Sequence, residues 1–178
     1  NIRMIETNGI RLKAIVEGSG PLVLLLHGFP QSGYLWRNQI DDLVAAGYQV
    51  AVPDQRGYGG SDKPADPQAY DTVTLSADAV GIADALGHET LTLVTHDWGA
   101  IVGWYMASLY PQRVNAVFAL SVPPTVGTPV GALTRQAAII AETRMQEAGQ
   151  GAPPCDYALA VLGSAGRGEC LLAMDQDN

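Results

Sequence analysis

Asp97 is the residue around which chemistry can be built. The stretch Thr90-Leu-Thr-Leu-Val-Thr-His-Asp97-Trp98-Gly99-Ala-Ile-Val-Gly103 is a short apolar run, rich in Val, Leu and Thr, that stops at an acid. Trp98, two glycines and a helical pattern follow at once. This reads as strand, sharp turn and helix, with one carboxylate at the apex. Such a turn is a nucleophile elbow, which holds a side chain out over the top of an α/β sheet. A carboxylate is already ionised near pH 7, so it can attack a saturated carbon without a base. The product would be an alkyl ester on Asp97. Water must then attack the ester carbonyl, which needs an oxyanion hole and a general base. A plainer reading makes Asp97 the N-cap of the helix that begins at Trp98.

The elements that must position this carboxylate alternate along the chain. Ile2 to Ile15 reads as a hairpin around Asn8-Gly9, a strong two-residue turn signal. Leu22 to Leu26 is a continuous apolar run, as expected of a strand covered on both faces, and it ends at His27-Gly28-Phe29-Pro30. Gly33 to Ala46 carries apolar residues at helical spacing, and Gly47 ends it. Tyr48 to Val52 is the next buried strand, followed by the Gly-rich loop Asp54 to Asp62. Val73 to Leu86 is a second helix with Thr72 as its N-cap. After the elbow a helix runs from Trp98 to Tyr110, Pro111 closes it, and Val114 to Val122 is a further strand.

This alternation predicts an α/β fold, a mostly parallel sheet with helices on both faces. Ligands bind beyond the carboxyl ends of such strands. His27–Pro30, Asp54–Asp62 and Thr95–Gly99 all sit there, so three loops converge on one edge of the sheet. The rhythm changes at Pro123-Pro124. Residues 1–122 therefore read as the sheet domain, and residues 123–178 as the start of a helical cap or a divergent tail. In the second part Thr128-Pro129 reads as an N-cap followed by proline at the first helical position. An apolar stripe then runs to Ala148, and Gly149 ends it.

The bulk properties set outer limits. A chain of 178 residues, 47% hydrophobic and 16% charged, suits a globular protein. The net charge of -8 argues against nucleic acid and anionic membrane surfaces as partners. No apolar run approaches the roughly 18 residues a membrane span needs. The N-terminus lacks the order of a signal peptide. Cys155 and Cys170 lie far apart with no zinc spacing, which suits reduced thiols in a cytoplasmic protein.

His27-Gly-Phe-Pro-Gln31, Asp54-Gln-Arg-Gly-Tyr-Gly-Gly-Ser-Asp62 and His96-Asp-Trp-Gly99 stand in the order and spacing of the α/β-hydrolase superfamily. They most resemble its soluble epoxide hydrolases, over Ile2 to Pro124. The resemblance implies that Asp97 opens an epoxide to a vicinal diol through an ester intermediate. It implies an oxyanion hole made by the backbone N–H groups of Phe29 and Trp98. Trp98 opens a helix, where free N–H groups and the positive dipole end favour an anion. Pro30 has no N–H, which leaves Phe29 as the donor of its loop. His27, Gly28, Pro30, His96 and Gly99 complete the motifs. The substrate implied is a small apolar epoxide with water, and neither cofactor nor metal is required.

Other residues read as framework. His96 reads as buried framework rather than the general base, because neighbours on a tight turn point in different directions; His27 supports its loop, and His88 lies at the surface. Trp36 and Trp104 are core, while Asp54 and Arg56 brace the Gly-rich loop. Two features depart from the family. Its elbow usually has Gly where this chain has Thr95. Its general base and acid follow the cap, yet no histidine follows His96 here, and Ser121 and Val122 occupy the strand end where some relatives carry the acid. The two cap tyrosines of epoxide hydrolases have no match, since Tyr157 is placed differently.

Two competing readings stand beside the first. A haloalkane dehalogenase shares the Asp97-Trp98 pair, but dehalogenases holding halide with Trp usually have Asn where Phe29 stands. The third is a non-catalytic truncated chain on a hydrolase scaffold. Truncation would expose a hydrophobic sheet edge, so self-association is expected.

Overall fold

The computed structural model describes residues 1–123 of the chain. The 123–178 segment, with the expected helix before Gly149 and Cys155, Tyr157 and Cys170, lies outside the described residues but for Pro123. Strands β1 (Ile2–Thr7) and β2 (Ile10–Glu17) form the hairpin, with Thr7 opposite Ile10. Asn8 and Gly9 both take positive φ, 47° and 75°, as the tight two-residue turn requires.

Strands β3 (Leu22–Leu26), β4 (Gln49–Pro53), β5 (Leu91–His96) and β6 (Val114–Leu120) complete a six-stranded sheet of order β1-β2-β4-β3-β5-β6. The β1/β2 and β2/β4 pairs are antiparallel and the rest are parallel. Every residue of β3 is buried, which its unbroken apolar sequence requires. From β3 the chain crosses to β4 on one side, then to β5 on the other. Strand order thus reverses at β3, so the carboxyl ends of β3 and β5 mark the switch point of the sheet, the place where open α/β folds generally bind ligands. Topology brings the loop after β3 and the turn after β5 together.

Helices α1 (Ile40–Ala45), α2 (Thr72–Ala85) and α3 (Trp98–Leu109) lie on the two faces. Leu24, Leu93, Ile82 and Met106 belong to the core on one face. Val23, Leu25, Trp36, Ile40 and Val52 make the core on the other. Trp36 and Trp104 are both buried, as expected.

Three local expectations are corrected. Gly33 to Ala46 is not one helix: a 3-10 turn, Gly33–Trp36, precedes α1. The Leu35, Arg37 and Gln39 N–H groups bond three residues back, to the Ser32, Tyr34 and Trp36 carbonyls, and Arg37, Asn38 and Gln39 are exposed with no apolar anchor. The cap of α2 is Asp71, not Thr72, because the Asp71 Oδ1 accepts from both the Val73 and Thr74 N–H at 2.9 Å. His88 is half-buried rather than at the surface, with its Nε2 2.7 Å from Gln49 Oε1.

Candidate active site

Asp97 stands between β5 and α3 at φ 55° and ψ −124°, a backbone conformation that strongly favours glycine. The apolar run that ends there is held on both sides, by β3 and by β6. The Asp97 N–H donates to Leu120 O at 3.2 Å and to Ser121 Oγ at 3.1 Å. Its carbonyl accepts from Ala100 and Ile101, starting α3. The side chain makes no capping bond to the helix. Instead, its Oδ1 accepts from the Phe29 N–H at 2.8 Å. The carboxylate therefore faces the loop after β3, and the N-cap reading lacks its bond.

Close approach of the two loops depends on glycine. A Cβ on Gly28 would stand 2.7 Å from Asp97 Cγ. A Cβ on Gly99 would stand 2.6 Å from His27 O. Gly28 thus lets the carboxylate sit over the loop, and Gly99 lets the start of α3 touch the end of β3. The Phe29-Pro30 peptide is cis. Trp98 is the first residue of α3, so its N–H is one of those that no intrahelical carbonyl can reach. Phe29 and Trp98, the residues on either side of the carboxylate's loop and turn, are 62% and 53% exposed.

His27, Asp54 and Arg56 form a hydrogen-bonded polar framework beside the elbow. His27 is fully buried: its Nδ1 lies 2.8 Å from Gly28 O, and its Nε2 accepts from the Gln55 N–H at 3.0 Å. Burial holds the imidazole below its usual range, against the upward pull of the Gly28 carbonyl and Asp54. Asp54 accepts from the Gly33 and Gly60 N–H groups at 2.9 Å each, with the Lys13 Nζ at 3.4 Å. Burial pushes its carboxyl up, but the Gly60 and Gly33 N–H groups and Lys13 together hold it below the usual carboxylate range. Arg56 pairs with Asp78 through two bonds of 2.8 Å. Both residues tie down the Gly-rich loop.

His96 is half-buried rather than buried, and its Nδ1 has no hydrogen-bond partner among the described residues. Thr95 before it is completely buried, and alternation along β5 sends His96 to the other face of the sheet.

Three residues at the site have no signal in the local pattern. Ser121 supports the elbow backbone from the end of β6. The Tyr58 ring packs edge-on against His27 with centroids 4.8 Å apart. Burial and then the Asp97 charge raise the Tyr58 hydroxyl above its usual range. Gly103 lies against Thr95. Among the described residues no three His, Cys, Asp or Glu side chains gather as a metal site would require. No helix of the described residues is long and apolar enough to cross a membrane.

The family model described as alpha/beta hydrolase fold matches residues 21–153. Epoxide hydrolase A of Mycobacterium tuberculosis is 51% identical over 123 residues, 68% of this chain and 38% of that protein. Epoxide hydrolase 3 of Siraitia grosvenorii is 48% identical over 118 residues, 66% of this chain and 37% of that protein. The chain thus spans well under half the length of the curated relatives it matches. The crystal structure of an epoxide hydrolase from Vigna radiata superposes with a TM-score of 0.70 at 43% identity, covering 72% of this chain and 40% of that one.

Proposed function

The chain belongs to the α/β-hydrolase fold family, and from that premise we propose that it carries the attacking half of an epoxide hydrolase. The observation that carries the reading is the 2.8 Å bond from the Phe29 N–H to Asp97 Oδ1. With Oδ1 held, Oδ2 is the oxygen free to attack. It bonds to a ring carbon, the strained C–O bond breaks, and its electrons pass to the ring oxygen, which takes up a proton. The product is a hydroxyalkyl ester of Asp97 whose carbonyl oxygen is Oδ1. When water adds to that carbonyl, negative charge develops on Oδ1, where Phe29 already donates. The Trp98 N–H and the positive end of α3 supply the second contribution. The names of the relatives support epoxides as the substrate class.

Release of the diol needs a base to activate water. The chain has three histidines. His27 has both ring nitrogens engaged, His88 bonds Gln49, and His96 sits on the strand before the elbow. The 178-residue chain should therefore attack once and keep the ester. Intact mass after incubation with styrene oxide tests this. A stable adduct is expected that is lost in Asp97→Asn; no adduct, or one that survives that substitution, overturns the reading.

A second reading, haloalkane dehalogenase, rests on the same Asp97-Trp98 pair. Alkylation by 1,2-dibromoethane with release of bromide, and none by styrene oxide, would favour it. The chain self-associates through the outer edge of β6, the last strand of the described sheet.

A further inference from the structure

Gly103 lies in the middle of α3 and does not take positive φ. Glycine inside a helix is unfavourable relative to alanine, so its presence needs a packing reason. The reason lies opposite, on β5. A Cβ on Gly103 would stand 2.9 Å from Thr95 Cγ2 and 3.4 Å from its Oγ1. Thr95 has no room to yield. It is 0% exposed, its neighbours across the sheet are Leu26 and Ala119, and a β-branched side chain is stiff at χ1. Among the described residues its Oγ1 has no hydrogen-bond partner, so the side chain is held there by packing.

Thr95 occupies the position two residues before Asp97 where the hydrolase elbow usually has glycine. We propose that Gly103 and Thr95 are a matched pair: the space that glycine normally leaves on the strand is provided here on the helix. The pair fixes the separation of β5 and α3, and Asp97 and Trp98 lie on the turn that joins them. Gly103 is therefore a positioning residue for the carboxylate and for the Trp98 N–H. This deepens the reading of Asp97 as nucleophile and rests on it for its link to catalysis. A second contact of the same kind serves as a control. Gly81 on α2 packs against Thr7 on β1, away from the elbow.

The test is a cycle in the 178-residue chain of wild type, Thr95→Gly, Gly103→Ala and the double variant, with Gly81→Ala beside it. Three quantities are read: Tm, the amide chemical shifts of Trp98 and Gly99, and the rate of adduct formation with styrene oxide per folded molecule. Gly103→Ala should lower Tm by about 5 °C, shift both amides and slow the adduct about tenfold. The double variant should recover most of each change. Gly81→Ala should lower Tm and leave the elbow amides and the rate alone. If Gly103→Ala changes Tm but neither amides nor rate, or if Thr95→Gly does not rescue it, the proposal falls. Should Gly103→Ala not fold, the double variant decides: folded, it supports the pair; unfolded while Thr95→Gly folds, it overturns it. If wild type forms no adduct, the epoxide reading fails, and the Tm and amide cycle still decides this one.

Discussion

The Phe29 N–H holds Asp97 Oδ1 at 2.8 Å, while the Asp97 backbone sits at φ 55°. The carboxylate is thus aimed by its partner's backbone and by strain in its own. That strain gives the first prediction. Asp97→Gly should raise stability by about 1 kcal/mol over Asp97→Asn in urea unfolding, because glycine takes this conformation without steric cost. Both variants should form no adduct. Equal stability of the two would mean that the elbow stores no strain.

The second prediction concerns His27. Its Nε2 accepts a proton bond from the Gln55 N–H, which only the unprotonated nitrogen can do. Burial lowers its folded pKa, so as pH falls the unfolded chain takes up the proton first. The stability contribution is therefore fully present above about pH 6.5 and is lost as pH falls through the lower, folded value. Urea midpoints measured from about pH 7.5 to about pH 5.5 should fall in wild type. His27→Asn should be weaker at the upper pH and show a flatter slope. Identical slopes would remove His27 from the pH response.

The elbow was legible in the sequence because its signals are local. An apolar run stopping at an acid before Trp98-Gly99 has few other readings, and Asn8-Gly9 marks its turn by backbone conformation alone. Alternation of strands and helices was enough to place the three glycine-bearing loops on one edge. What was not legible depends on contacts between distant residues. Nothing local shows that Gly103 makes room for Thr95, or that Ser121 reaches the Asp97 N–H. Asp71 and Thr72 are both capping residues, and only geometry shows which side chain accepts from Val73 and Thr74. The Gly33 to Ala46 helix is split because Arg37, Asn38 and Gln39 are exposed with no apolar anchor, and the Arg37 and Gln39 N–H groups bond three residues back rather than four.

The third prediction follows from the pair Arg56 and Asp78, whose side chains are 5% and 6% exposed. Asn8 joins them: its Nδ2 donates to Asp78 Oδ1 at 2.9 Å, and Arg56 Nη2 donates to Asn8 O at 3.3 Å. The hairpin turn, the Gly-rich loop and α2 are thereby locked together. Arg56→Met leaves a buried carboxylate without its partner and should cost about 3 kcal/mol. Arg56→Met with Asp78→Leu removes both charges and should cost less than the single change. A double variant at least as unstable as the sum of the singles would show that the two charges are not coupled.

The last prediction concerns the edge of the sheet. Strand β6 pairs with β5 on one side, and among the described residues no strand pairs with its other side. Phe118 on this strand is 40% exposed, and it stands opposite Val94 of β5. A strand edge left unpaired among the described residues, beside an exposed aromatic ring, is a template for a second chain. Light scattering should show mass rising over an about tenfold range of concentration. Phe118→Lys should suppress the rise, because a charge on an edge strand must lose its hydration to pair. Adduct formation at Asp97 should be unchanged in that variant, since the elbow is joined to β6 through Leu120 and Ser121 rather than Phe118. A wild-type chain that stays monomeric across the range, or association indifferent to Phe118→Lys, would place the self-contact elsewhere or remove it.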